Sequence, residues 1–147
     1  MSCARPRGPP GVHIDTSPAD DEVRALLTAW VHAVQRGDLA GVRAHHPADV
    51  VMFDVPPPFQ GVRGVEAYAR TWPGFFEWLA SGAVFELESL QVTAGDDVAF
   101  AWALLRCGRP EELADRPDLR LRITFGLRRG DDGWSIAHEH HSFPAVD

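Results

Sequence analysis

The feature that most constrains the fold is a change in hydrophobic period at Ala83. Before it, apart from one short apolar run at 49–55, apolar residues recur every three or four positions, the spacing that places side chains on one side of a helix. After it, apolar and polar residues alternate, as they do in a strand with one buried face. Helices followed by hairpin-linked strands predict an α+β fold in which a mostly antiparallel sheet curls around the helices. The open end of such a sheet leaves a pocket for a small molecule.

Local signals predict where the helices begin and end. Ser17 is a typical helix start, and Gly37 a typical end. Asp38 can cap a short second helix, and a third should begin near Gly64. Pro73 lies inside that third helix and should kink or split it. The predicted strands span 49–55, 83–93, 97–107, 119–128 and 134–143, and residues 108–118 are predicted to form a polar loop.

Length and charge bound the domain organisation and the partners. Residues 1–16 are rich in Pro and Gly and have no apolar signal core, so we expect a flexible tail before a single domain of residues 17–147. The net charge is −7 and every basic residue is Arg, without a basic cluster, which argues against nucleic acid as a partner. No apolar run approaches the roughly 20 residues of a membrane helix, so no membrane partner is expected. Two cysteines without a CxxC motif favour a reducing cytoplasm.

The last predicted strand contains three histidines in "AHEHHS". Strict alternation places His138 and His140 on one face and Glu139 and His141 on the other. His-x-His is a spacing used by zinc and copper sites, but a catalytic site needs a third protein ligand, which the sequence does not identify. We therefore expect no metal. The alternatives are imidazoles that are hydrogen-bonded in a pocket wall and imidazoles that act in acid–base chemistry.

Asp54 follows the apolar residues "VMF" at the end of the first predicted strand. It can be a buried general base, or it can simply cap the turn at Pro56–Pro58. Trp30 and Trp72 are candidates for a pocket wall, although large aromatic residues at helical spacing are more often core. Phe76 continues the same helical stripe as Trp72.

Two stretches carry a resemblance to a known family. The segment "AWVHAVQRGDLAGVRAHHPADVVMFDVPPP" resembles the first helix, Gly-Asp-Leu turn and first strand of the nuclear transport factor 2-like superfamily. The segment "LRITFGLRRGDDGWSIAHEHHSFP" resembles the terminal hairpin of its SnoaL-like, ketosteroid-isomerase-related branch. The resemblance extends from about Ala19 to Pro144.

This resemblance implies a cone-shaped α+β fold, usually dimeric, with a deep apolar pocket at the open end. Asp54 falls where the steroid isomerases have a proton-shuttling carboxylate. Trp30 and Thr124 fall where those enzymes have oxyanion donors, so both donors are replaced. The resemblance also implies that His138, His140 and Ser142 face the cavity, with Arg122 and Thr124 as further substrate-binding candidates on the neighbouring strand.

The resulting hypothesis is an enzyme of the isomerase, cyclase, dehydratase or hydrolase type that needs no cofactor. Asp54, His138 and His140 would be catalytic, and the substrate a small apolar or polycyclic molecule. The alternatives are a non-catalytic binding module and a dimerising module of the same fold. A homodimer is expected through Ala137, Glu139, His141 and Phe143, because Phe143 would otherwise be part of an exposed apolar patch.

Overall fold

A computed structural model describes residues 17–145 of the chain. The predicted tail, residues 1–16, lies outside the described residues. Helix α1 (Pro18–Arg36) begins with a capping box between Ser17 and Asp20 and ends at Gly37, whose φ of 67° is left-handed. Helix α2 (Leu39–Arg43) is capped by the Asp38 carboxylate, which accepts from the Gly41 N–H. Both predicted helices are confirmed.

The predicted third helix is split in two, as expected from Pro73. Helix α3 (Val65–Arg70) and helix α4 (Trp72–Ala80) are separate elements. Pro73 lies in the first turn of α4, where backbone N–H groups have no acceptor within the helix, so the absence of an N–H in proline breaks no hydrogen bond. A further helix, α5 (Pro110–Asp115), occupies the segment predicted to be a polar loop.

The strands form one six-stranded sheet in the order β2-β1-β6-β5-β4-β3. The only parallel pair of this sheet is β1–β6, and the other four pairs are antiparallel. The sheet is curved and open, and α1 packs on its concave side, so the α+β cone is confirmed. The strands are β1 (Val51–Phe53), β2 (Val62–Arg63), β3 (Val84–Ala94), β4 (Val98–Gly108), β5 (Leu121–Gly130) and β6 (Gly133–Ser142).

A β-bulge in β6 changes which of its side chains face the core. Gly126 of β5 pairs with His138, whereas the next residue, Leu127, pairs with Ile136, so Ala137 is the extra residue. Ile136 is therefore buried before the bulge, and Glu139 is buried after it. Ile136 and Glu139 are three positions apart, an odd spacing, so the alternation is reversed at this point.

The bulge makes two sequence-based expectations wrong. His138, His140 and Ser142 were expected to face the cavity, but they lie on the convex, outer face of the sheet. Glu139 and His141 were expected on the outer face as part of a dimer interface, but their side chains are buried on the concave side. Strict period two holds only for a regular strand, and one inserted residue moves every later side chain to the opposite face.

No helix within residues 17–145 combines the length and the apolar character needed to cross a membrane.

Candidate active site

A cavity of about 570 Å³ opens at the wide end of the cone. Helix α4 and the strand ends enclose it, and α5 and the segment after β1 border it. Its wall is mostly apolar, as is usual for small-molecule sites. The larger apolar residues of the wall include Trp72, Phe75, Trp78, Phe85, Leu121 and Phe143. The polar groups of the wall include Asp54, Thr71, Glu112, Arg116 and His141.

Glu139 lies behind this wall and accepts three hydrogen bonds. Its side chain is fully buried, and its Oε1 is 2.8 Å from His141 Nε2. Its Oε2 is 2.6 Å from His46 Nε2 and accepts from the Tyr68 hydroxyl at 2.7 Å. Tyr68 in turn accepts a hydrogen bond from Trp30 Nε1 at 3.0 Å. The carboxylate thus joins β6, the segment after α2, and α3 through one buried group.

Opposing effects act on the ionisation of Glu139. Burial by itself raises its pKa, but the hydrogen bonds from His141 and His46, together with the positive charge that a protonated ring places beside the carboxylate, outweigh burial and lower the pKa to about 2. Burial and the charge of Glu139 raise the pKa of Tyr68 well above its ordinary value. Glu139 is therefore a carboxylate at neutral pH, and Tyr68 is a neutral hydroxyl donor.

His141 connects this buried carboxylate with the cavity. Its Nε2 faces Glu139, and its Nδ1 is 3.7 Å from Asp54 Oδ1, beyond hydrogen-bond range. The His141 side chain is 7% exposed and that of Asp54 is 21% exposed. A neutral imidazole that donates from Nε2 has a lone pair on Nδ1. The geometry therefore fits a base at the cavity wall with a carboxylate beside it.

Asp54 partly matches its prediction. It lines the cavity, as expected for the catalytic candidate, and its Oδ1 also accepts a hydrogen bond from the Val55 N–H at 2.8 Å, as expected for a turn cap. Its histidine neighbour is His141 and not His138 or His140. The expectation that Asp54 and those two histidines share one cavity is therefore wrong.

The three aromatic candidates occupy different places. Trp72 lines the cavity, and its buried indole N–H has no hydrogen-bond partner within residues 17–145. Trp30 is 2% exposed in the core, where it donates to Tyr68, and it does not line the cavity. Phe76 stacks on Trp72 but borders a separate, smaller cavity of about 360 Å³. Of the three, Trp72 alone lies at the candidate site.

The remaining predicted site residues form part of the outer face of the sheet. Arg122 and Thr124 of β5 are exposed and pair with Ser142 and His140 of β6, so they do not line the cavity either. The alternation in β5 is regular: Leu121, Ile123 and Phe125 are buried, so Arg122 and Thr124 between them point outward. Arg122 donates to Ser142 Oγ at 3.3 Å, and His138 and His140 pack edge-on against Phe53.

The structure brings together residues that the sequence did not single out for catalysis: Glu139, His141, His46 and Tyr68. One signal indicates the bulge that turns Glu139 and His141 to the concave side of the sheet. Gly126 is an isolated glycine inside a strand, which often marks a bulge in that strand pair. Within residues 17–145, no group of three or more His, Cys, Asp or Glu side chains has the arrangement to hold a metal ion.

Comparison with known proteins identifies the family. The profile of the SnoaL-like domain matches residues 23–146, which is most of the chain. The chain belongs to the SnoaL-like family. It is a SnoaL-like protein of the nuclear transport factor 2-like superfamily. No curated protein matches its sequence.

Solved structures resemble this SnoaL-like protein over nearly its whole length. A nuclear transport factor 2-like protein of unknown function from Pseudomonas putida KT2440 is 35% identical, with 87% of this chain and 88% of that chain covered and a TM-score of 0.75. A protein described as a candidate ketosteroid isomerase from Shewanella frigidimarina is 22% identical, with coverage of 85% and 98% and a TM-score of 0.66. A protein described as a candidate dehydratase from Streptomyces avermitilis is 20% identical, with coverage of 88% and 100% and a TM-score of 0.67. At these identities, the last two similarities support the fold alone.

Proposed function

We propose that this SnoaL-like protein is an enzyme that moves a proton on a small, mostly apolar carbonyl or hydroxyl compound. The observation that carries the proposal is the Glu139–His141 pair, which ends at the cavity wall 3.7 Å from Asp54. Isomerisation, cyclisation, dehydration and hydrolysis all begin or end with such a proton transfer. The aromatic wall suits an apolar or polycyclic body.

The roles of the three residues follow from their contacts. His141 Nδ1 takes a proton from the substrate, while Nε2–H remains hydrogen-bonded to Glu139 Oε1. Asp54 stabilises the imidazolium that forms, because its carboxylate is next to the newly protonated nitrogen. The proton then returns to another atom of the substrate. No group from outside the protein is required for this step.

The proposal differs from the sequence-based hypothesis in the identity of the base. That hypothesis assigned acid–base roles to His138 and His140, which pack against Phe53 on the outer face of the sheet. A base must reach the proton that it abstracts. His141 meets that condition for a molecule in the cavity, and we therefore assign the role to it.

Exchange of carbon-bound hydrogen in deuterated water tests the proposal without knowledge of the product. The protein is incubated with β-tetralone, a bicyclic aromatic ketone, and with a panel of alicyclic ketones, and deuterium uptake is followed by mass spectrometry. We expect uptake above the uncatalysed rate with at least one ketone, and a loss of about 10²–10⁴-fold in His141→Gln.

His140→Gln is the matched control, because it removes an imidazole one residue away on the outer face. It should exchange at the wild-type rate. Loss of exchange in His140→Gln with retention in His141→Gln would refute the assignment of the base. Quenching of tryptophan fluorescence by the ketones without any exchange would favour the non-catalytic binding module instead.

A further inference from the structure

His46 lies at the far end of the hydrogen-bond chain from the cavity, and the proton transfer described above does not use it. Its side chain is fully buried. Its Nδ1 is 3.1 Å from the Ala44 carbonyl oxygen, and its Nε2 is 2.6 Å from Glu139 Oε2. The Ala44 carbonyl oxygen has no proton to donate, and neither has Glu139 when it is ionised. Both neighbours of His46 then act only as hydrogen-bond acceptors. A neutral imidazole has one N–H and could satisfy just one of them, whereas an imidazolium has two.

All three side chains that contact the Glu139 carboxylate act as hydrogen-bond donors to it. Tyr68 accepts from Trp30 Nε1, which leaves the Tyr68 hydroxyl proton for Glu139 Oε2. His141 Nε2 approaches the other oxygen at 2.8 Å. A carboxylate with three donors and no acceptor around it is satisfied without a proton of its own. A fully buried carboxylate also needs a cation nearby, because an unpaired buried charge is strongly destabilising.

Two groups in contact with Glu139 can carry that positive charge, His46 and His141. Within residues 17–145, His46 has a protein acceptor at hydrogen-bond distance from each of its ring nitrogens, and His141 does not. His141 has one such acceptor, because Asp54 is too distant from its Nδ1. The His46 ring also stacks on Tyr68 with a centroid distance of 4.3 Å, and an aromatic face attracts a cation.

We propose that His46 is a positioning residue: a buried imidazolium that neutralises Glu139 and so leaves His141 neutral, with Nε2–H toward Glu139 and an unprotonated Nδ1 toward the cavity. The catalytic value of this arrangement rests on the proposed function. The charge on His46 and the tautomer of His141 do not rest on it, and they can be measured without a substrate.

Nitrogen NMR of ¹⁵N-labelled full-length protein at neutral pH measures both directly, because protonated and unprotonated ring nitrogens have well-separated shifts. Each ring is assigned in the wild-type protein by through-bond correlation to the backbone resonances of its own residue. We expect two protonated nitrogens in His46, and one protonated and one unprotonated nitrogen in His141. A singly protonated His46 in the wild-type spectrum would overturn the proposal, and this outcome does not depend on whether any variant folds.

Two variants separate the charge of His46 from its hydrogen bond. His46→Gln retains a donor toward Glu139 but removes the charge, so His141 should become doubly protonated in order to neutralise Glu139. Tyr68→Phe removes a neutral donor to the same oxygen and should leave both rings as in the wild type. An unchanged His141 in folded His46→Gln would contradict the proposal. His45→Asn is the surface control, since Asn tolerates the positive φ of 63° at this position.

Deuterium exchange distinguishes this proposal from the proposed function. His46→Gln should exchange at least about tenfold more slowly than the wild type, because a protonated Nδ1 is no base. If the protein shows the expected NMR pattern but catalyses no exchange with any ketone, the proposed function is refuted and the role of His46 is retained. If ketone exchange is rapid but His46 is singly protonated, only the proposed role of His46 is refuted.

Discussion

Replacement of Glu139 by glutamine tests the buried network at its centre. Glutamine has nearly the same shape, but its amide offers one oxygen and one NH₂ where the carboxylate offered two acceptors. His46, Tyr68 and His141 approach these two atoms as donors at 2.6, 2.7 and 2.8 Å. At least one donor must then face the NH₂, and any charge on the histidines loses its partner.

The expected cost follows from two independent estimates. Breaking a buried ion pair by removal of one partner costs about 3–5 kcal/mol. The lowering of the Glu139 pKa from 4.5 to about 2 corresponds to about 3 kcal/mol of folding free energy at neutral pH. For a domain of this size, about 3 kcal/mol lowers the melting temperature by roughly 10 °C.

Thermal unfolding followed by circular dichroism measures this effect. Glu66→Gln is the matched control, because Glu66 makes a surface ion pair with Arg43, with a side chain 71% exposed, and such pairs contribute at most about 1 kcal/mol. A Glu139→Gln melting temperature within about 2 °C of the wild type would refute the argument that this carboxylate is ionised and paired.

The pH dependence of stability provides a second measurement on the same variant. The pKa of Glu139 is lower in the folded protein than in the unfolded chain, so its stabilisation is complete above pH 4.5 and is lost as the pH falls toward about 2. The wild type should therefore lose more stability than Glu139→Gln across this range. Parallel curves for the two proteins would contradict the direction of the shift.

Three further predictions concern other parts of the molecule. We expect a homodimer through the outer sheet face, where Phe53, Phe100 and Trp102 are 37%, 53% and 45% exposed. The Trp102→Asp variant should sediment as a monomer, and a variant that still sediments as a dimer would show that the subunits meet at another surface. Cys107 should resist alkylation in the native protein and react after denaturation, because burial and, to a lesser extent, the charge of Glu112 raise the pKa of its thiol to about 12. Complete labelling of Cys107 in the native protein, measured by peptide mass spectrometry, would contradict this. Chelation with EDTA should leave ketone exchange unchanged, and a loss that one equivalent of zinc restores would show that the expectation of no metal is wrong.

The sequence predicts most of the fold because its signals are local. Ser17, Gly37 and Pro73 set the bounds of helices through their own backbone preferences and need no knowledge of distant residues. Helix α5 had such signals too, since Pro110 and two glutamates occupy its first turn. It was missed because the two prolines and the polar character of residues 108–118 are equally typical of a loop.

The candidate site is harder to predict because it depends on a bulge and on distant contacts. Two of the residues that the sequence singles out, Asp54 and Trp72, line the cavity. A bulge of one residue at Ala137 reverses the faces of β6, and period two alone cannot reveal it. The His46–Glu139 contact joins residues 93 positions apart, and only the folded chain brings them together.

A crystal structure with bound β-tetralone tests the central claim most directly, because it locates the substrate relative to every candidate base. The account predicts the ketone rings among the aromatic side chains of the cavity, with the carbonyl group or an adjacent carbon within reach of His141 Nδ1 and next to Asp54. A ketone bound against His138 and His140 on the outer face, or one held in the cavity with its reactive end away from His141, would contradict it.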